Sequence, residues 1–111
     1  MIPFSSATRV FVALAPIDCR KSFSGLQGCV QEQLHQDPLS GHVFLFTNRT
    51  RTRLKLLYWD ASGFWVCGKR LEKGRFSWPK GEGVCGQLRP EELHALIHGM
   101  EIVARKEWYR T

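Results

Sequence analysis

His42-Val-Phe-Leu-Phe-Thr-Asn48 places large apolar residues at four consecutive positions, Val43 to Phe46. Successive side chains of a strand point to opposite faces, so a strand of this composition needs apolar cover on both sides. It predicts a central strand in a layered domain with helices or loops on each face of the sheet. Working outward, Arg53-Leu-Lys-Leu-Leu-Tyr-Trp-Asp60 follows a short polar tip, alternates basic and apolar residues at first, and ends at the turn signal Ala61-Ser-Gly63. Phe64 to Leu71 leaves that turn as a further strand. Such short connections favour an antiparallel meander, because parallel neighbours need long crossovers.

Upstream, Arg9-Val-Phe-Val-Ala-Leu-Ala15 stops at Pro16 and reads as a largely buried first strand. Phe23, Leu26, Val30 and Leu34 then recur at helical spacing. Ser24 three residues before Gln27 forms a capping box, and the helix runs from about Ser22 to His35, stopped by Asp37-Pro38. Downstream, Glu72 to Pro79 is an irregular aromatic-basic segment, Val84 to Leu88 adds a short strand, and Pro90 opens a last helix with Glu91 and Glu92 in its first turn. Leu93, Leu96, Ile97 and Met100 make its inner stripe, Gly99 its terminator, and Arg105 to Thr111 a frayed basic tail. The expected fold is α+β in order β-α-β-β-β-(β)-α: one domain, residues 1–111 with its core over 9–100, built on a four- or five-stranded, mainly antiparallel sheet with two helices. A chain of 111 residues with 43% hydrophobic composition suits one such domain.

The net charge of +6 is unevenly placed. Residues 49–80 hold nine Lys and Arg against two acidic residues, a local +7, whereas the other 79 residues hold seven against eight, or −1. Basicity concentrated on one meander points to a phosphate-rich partner. Arg49, Arg51 and Arg53 alternate with Thr50 and Thr52, and an extended chain would set the three guanidinium groups on one side as a comb for a phosphate backbone. Lys55, Lys69, Arg70, Lys73 and Arg75 extend this candidate nucleic-acid-binding set, with Arg20 and Lys21 as a secondary basic contact. The same charges also suit a solvated, aggregation-resistant hairpin edge. Interleaved aromatics, Tyr58, Trp59, Phe64, Trp65, Phe76 and Trp78, can serve as core or as stacking platforms for bases.

Signs of catalysis are few. A two-metal phosphoryl-transfer site needs convergent carboxylates, and Asp18, Asp60 and Glu72 fall on separate turns or strand ends. His94 and His98 share one helical face, but Ala95 stands where a zinc protease would place glutamate. Cys19, Cys29, Cys67 and Cys85 form no C-x-x-C pair and read as reduced, partly buried thiols. No catalytic residue, metal or cofactor is expected. The amino terminus lacks a basic n-region, and Val10 to Ala15 is too short for a signal core or a membrane span, so the expected location is cytoplasmic, without a membrane partner.

Four segments together carry a resemblance: Pro16-Ile-Asp-Cys-Arg-Lys-Ser-Phe-Ser-Gly-Leu26, Asp37-Pro-Leu-Ser-Gly-His-Val-Phe-Leu-Phe46, Leu54-Lys-Leu-Leu-Tyr-Trp-Asp60 and Lys69-Arg-Leu-Glu-Lys-Gly-Arg-Phe-Ser-Trp-Pro79. In that order, from about Arg9 to Gly99, they resemble the TnpB accessory proteins of the insertion-sequence family numbered sixty-six. The chain departs from the family pattern at Cys19, Ser24 and the pair Cys67-Gly68. The resemblance implies a small protein encoded beside a separate, larger DDE-type transposase and needed with it for transposition, unrelated to the RNA-guided nuclease that shares the name TnpB. Joined with the basic meander, it predicts a non-catalytic accessory factor with DNA and the element's transposase as partners. The alternative is a protein-interaction module that docks on the transposase, or forms a homo-oligomer through an apolar sheet face, without touching DNA.

Overall fold

A computed structural model of the chain describes residues 7–98. Its elements are β1 (Val10–Ala13), α1 (Phe23–Glu32), β2 (Val43–Thr47), β3 (Arg53–Trp59), β4 (Phe64–Arg70), β5 (Cys85–Leu88) and α2 (Pro90–Ile97). The five strands form one sheet in the order β4-β3-β2-β1-β5. Three of its four pairings are antiparallel, as expected for a mainly antiparallel sheet. The meander holds for β2-β3-β4, but β1 and β2 pair in parallel, with Val10 beside Val43 and Val12 beside Leu45. The segment between them, with α1 inside it, is long enough to cross one face of the sheet, which is what parallel neighbours require. β5 returns antiparallel on the far side of β1, pairing Ala13 with Cys85 and Val10 with Leu88.

Both faces of the sheet are covered, and β2 is buried at every position. On one face Leu26, Cys29, Val30 and Leu34 of the α1 region pack on Phe11, Ala13, Phe44, Phe46 and Leu57. On the other, Leu93 and Leu96 of α2 join Phe76 and Trp78 over Val12, Val43, Leu45, Leu56 and Tyr58. Each fully buried aliphatic or aromatic side chain contributes about 1.5–3 kcal/mol, so these two layers dominate the stability. Trp78 earns its interior place by donating its indole N–H to the Ala13 carbonyl at 2.7 Å. The strand Val43 to Phe46, from which a self-association face was expected, is thus covered on both faces within the chain.

Local details refine the helices. Phe23 is 49% exposed and belongs to no inner stripe, because it opens α1, where the chain is still approaching the sheet. Ser22, not Ser24, occupies the N-cap, without a side-chain cap bond, so the expected capping box does not form. The helix ends at Glu32 rather than His35; His35 has a φ of 54°, the left-handed geometry that closes many helices. At α2, Glu92 reaches back and accepts the Arg89 backbone N–H at 2.8 Å, and Pro90 sits in the first turn as expected. Gly99, Met100 and the basic tail lie outside the described residues.

Candidate nucleic-acid interface

The Arg49–Arg53 tip is organised by Asn48. Its side-chain oxygen accepts the Thr52 and Arg53 backbone N–H groups at 3.0 and 3.1 Å, and its amide nitrogen donates to the Thr52 hydroxyl at 3.3 Å. Thr47 adds a hydroxyl donation to the Arg53 carbonyl at 2.8 Å. Arg51 takes a φ of 59°. The backbone thus turns where the sequence pattern predicted extension, and Arg49, Arg51 and Arg53 do not form a comb on one strand face. Side chains that satisfy backbone N–H groups locally compete with strand geometry, and Asn is suited to this. Its position before an Arg-Thr-Arg-Thr-Arg run was the missed signal for a turn.

The charges nonetheless gather at one end of the sheet. Register pairs Arg53 with Arg70 and Lys55 with Gly68 across β3 and β4, on the face that carries α1. A groove of about 290 Å³ lies here, lined by Arg53, Leu54, Lys55, Gly68, Lys69 and Arg70. Gly68 keeps it open: a Cβ there would stand 3.6 Å from Cδ and Cε of Lys55. Lys69, opposite Leu54, belongs to the other face, where its ammonium donates to the Ile97 carbonyl at 2.8 Å. The following loop is tied to the tip, Leu71 N–H donating to the Thr52 carbonyl and Phe76 N–H to the Arg51 carbonyl at 2.9 and 2.7 Å. Exposed Lys73 and Arg75 are thereby carried to the end where Arg49 and Arg51 sit.

A remote segment joins them. The Ile17 N–H donates to the Thr47 carbonyl at 2.9 Å, and a cavity of about 260 Å³ is lined by Asp18, Cys19, Arg20, Asn48 and Arg53. Arg53 is common to both cavities. Arg20 is paired with Asp18 at 2.9 Å, and hydrogen bonds from its side chain and backbone N–H hold the Asp18 carboxyl down at about 2. Arg70 meets Glu72 at 3.4 Å, both well exposed, a contact of small energetic weight. Arg49, Arg51, Arg53, Lys55, Lys73 and Arg75 have no ion pair with a described carboxylate.

Burial pushes the Cys19 thiol up, against the opposing pull of Lys55 and Arg53, so the neutral thiol is favoured. Asp60 lies at the far end of β3 from Arg53, where it caps the β3–β4 turn by accepting from Ser62, Gly63 and the Trp65 indole. The backbone N–H of Ser62 leads in holding its carboxyl at about 2. Asp60 therefore stands apart from Asp18 and Glu72, which lie towards the Arg53 end of the sheet. His94 and His98 are exposed with ring centroids 4.5 Å apart, and no group of three metal-ligating side chains occurs among the described residues. No described helix is long and apolar enough to cross a membrane.

The family model described as IS66 Orf2-like protein matches residues 8–107. Two proteins of Sinorhizobium fredii are similar to the chain. One, the uncharacterized protein y4hO, is 36% identical over 99% of this chain and 96% of its own length. The other, the uncharacterized protein y4jC, is 36% identical over 91% of this chain and 86% of its own length. No solved structure matches.

Proposed function

The chain belongs to the IS66 Orf2-like family of transposition-associated accessory proteins, and we propose that it serves transposition by laying its basic sheet end on the backbone of duplex DNA while assisting a separately encoded transposase. The observation that carries this reading is the convergence of basic side chains from four separate segments. Arg20 comes from the β1–α1 connection, Arg49 and Arg51 from the tip, Arg53, Lys55 and Arg70 from the hairpin, and Lys73 and Arg75 from the tethered loop. Arg53 at the groove, with Arg49, Arg51 and Arg75 beyond it, has no ion pair with a described carboxylate and suits phosphate oxygens, which arginine can grip with two parallel hydrogen bonds.

Duplex is favoured over single strands by the aromatic residues. Phe76 and Trp78 are buried in the core, and Trp65, 46% exposed, is at the opposite end of β4 from Arg70 on the other face of the sheet. The basic groove has no aromatic lining, so the stacking platform that single-strand binders use is missing from it. The test is fluorescence anisotropy with labelled duplex across a salt series. The wild-type protein should bind with steep salt dependence, and Arg49→Ala, Arg51→Ala and Arg53→Ala should each make the slope of log K against log salt shallower by about 0.9. Absence of binding at low salt, or an unchanged slope in the triple variant, would overturn the reading.

A further inference from the structure

With both sheet faces covered, the longest unpaired element among the described residues is the outer edge of β4. This strand is seven residues long, from Phe64 to Arg70, and exposed or half-buried throughout. None of its residues takes a positive φ and it holds no proline, so the outward N–H and C=O groups, unpaired among the described residues, form an uninterrupted row. We propose that this edge pairs with the same edge of a second copy, joining two five-stranded sheets into one across a twofold axis.

The composition of the strand singles out a partner antiparallel to itself. Full overlap of seven residues about a twofold sets the middle residue, Cys67, against its own copy. The same register sets Val66 against Gly68, Trp65 against Lys69, and Phe64 against Arg70. The amino-terminal half of the strand is aromatic and the carboxyl-terminal half cationic, so each cation is set opposite an aromatic ring and no two cations meet directly. To reach Trp65 of the second copy, the Lys69 ammonium exchanges its bond to the Ile97 carbonyl. Cation-aromatic pairs attract, whereas like charges directly opposite repel. Trp65 is held for this role: its indole N–H donates to Asp60 at 2.7 Å, which fixes the ring and places a carboxylate beside the position that Lys69 of the second copy would take. Sliding the pairing two residues towards Lys69 would set Lys69 against its own copy, and sliding it the other way would shorten the ladder, so full overlap is the favoured register. The surface is the one a closed, isologous dimer needs, since each contact is made twice.

The register makes Cys67 a built-in reporter. Directly opposed antiparallel residues have Cα atoms about 4.5–5.5 Å apart, within the ~4.4–6.8 Å span of a disulfide. Cys67 is exposed, whereas Cys19, Cys29 and Cys85 are buried. Light scattering of the reduced full chain at rising concentration should approach twice the 12.8 kDa monomer mass. Mild oxidation should then yield a covalent dimer that Cys67→Ser abolishes. Trp65→Lys sets ammonium against ammonium and should return the mass to that of the monomer. Combining Trp65→Lys with Lys69→Glu replaces each clash by an ion pair and should restore the dimer, which also shows that the single variant folds. A strict monomer at every concentration, or a dimer that persists in Trp65→Lys and leaves Cys67 uncoupled, would overturn the proposal.

Discussion

Phe46 and Lys55 are partners across β2 and β3 and share the α1 face of the sheet, yet one is wholly buried and the other begins the basic surface. Two register positions further inward, the next pair on that face, Phe44 and Leu57, is buried on both strands. The boundary between core and binding surface thus runs through a single ladder rather than between separate subdomains. The residue pattern follows the reach of α1. Beneath the helix, large apolar side chains exclude water; beyond it, the same strand face carries Arg53 and Lys55, whose long stems cover apolar surface while the charged ends stay wet.

The largest effect should come from crossing that boundary on its buried side. Phe46→Ala should cost about 3–5 kcal/mol, read as a lowered urea midpoint with an unchanged m-value, because it leaves a cavity between α1 and the sheet. A loss below about 1 kcal/mol would show that α1 does not seal this position. Next is the burial of Cys85 in β5, which pushes its thiol up to about 11. The unfolded thiol ionises near 9.0 while the folded one stays protonated. This contribution to stability is therefore complete below pH 9 and is lost as pH rises towards about 11, to the extent of about 2–3 kcal/mol. Burial raises the Cys19 and Cys29 thiols as well, which adds to the loss in the same direction. Urea titrations under reducing conditions at rising pH should show the decline, and Cys85→Ala should flatten it; an unchanged slope would refute the assignment. The smallest effect on stability belongs to the exposed side of the boundary. Lys55→Ala should change stability by no more than about 0.5 kcal/mol while making the salt slope of DNA binding shallower by about 0.9. If it instead destabilised the fold as Phe46→Ala does, Lys55 would be a core residue and the boundary would lie elsewhere.

Much of this organisation was legible from residue pattern. Four apolar residues in succession required a strand covered on both faces, and Pro90 with two following glutamates marked the start of α2. The neighbours of β1 were not legible. Which strands flank it depends on pairings between residues far apart in sequence, on which a period-two pattern is silent. Phe23 fitted a helical stripe by spacing, but spacing does not say where a helix leaves its sheet. In the candidate site the residue types were legible and their arrangement was not. The turn set by Asn48 broke the alternation of Arg49, Arg51 and Arg53, and no local pattern links Arg20 to Arg53, which share a cavity only because Ile17 bonds back to Thr47.

The position of β1 between β2 and β5 also orders events during synthesis. The β2–β3–β4 meander closes through neighbouring segments, whereas the β1–β5 ladder joins Val10 to Leu88. Closure across such a separation is slow and follows local pairing. While the ribosome is still making β3 and β4, one side of the first strand has no partner, and the sheet is completed only when nearly all of the described chain has emerged. A message cut short before Cys85 would therefore yield a protein that already carries its cationic hairpin but lacks the strand that closes its interior.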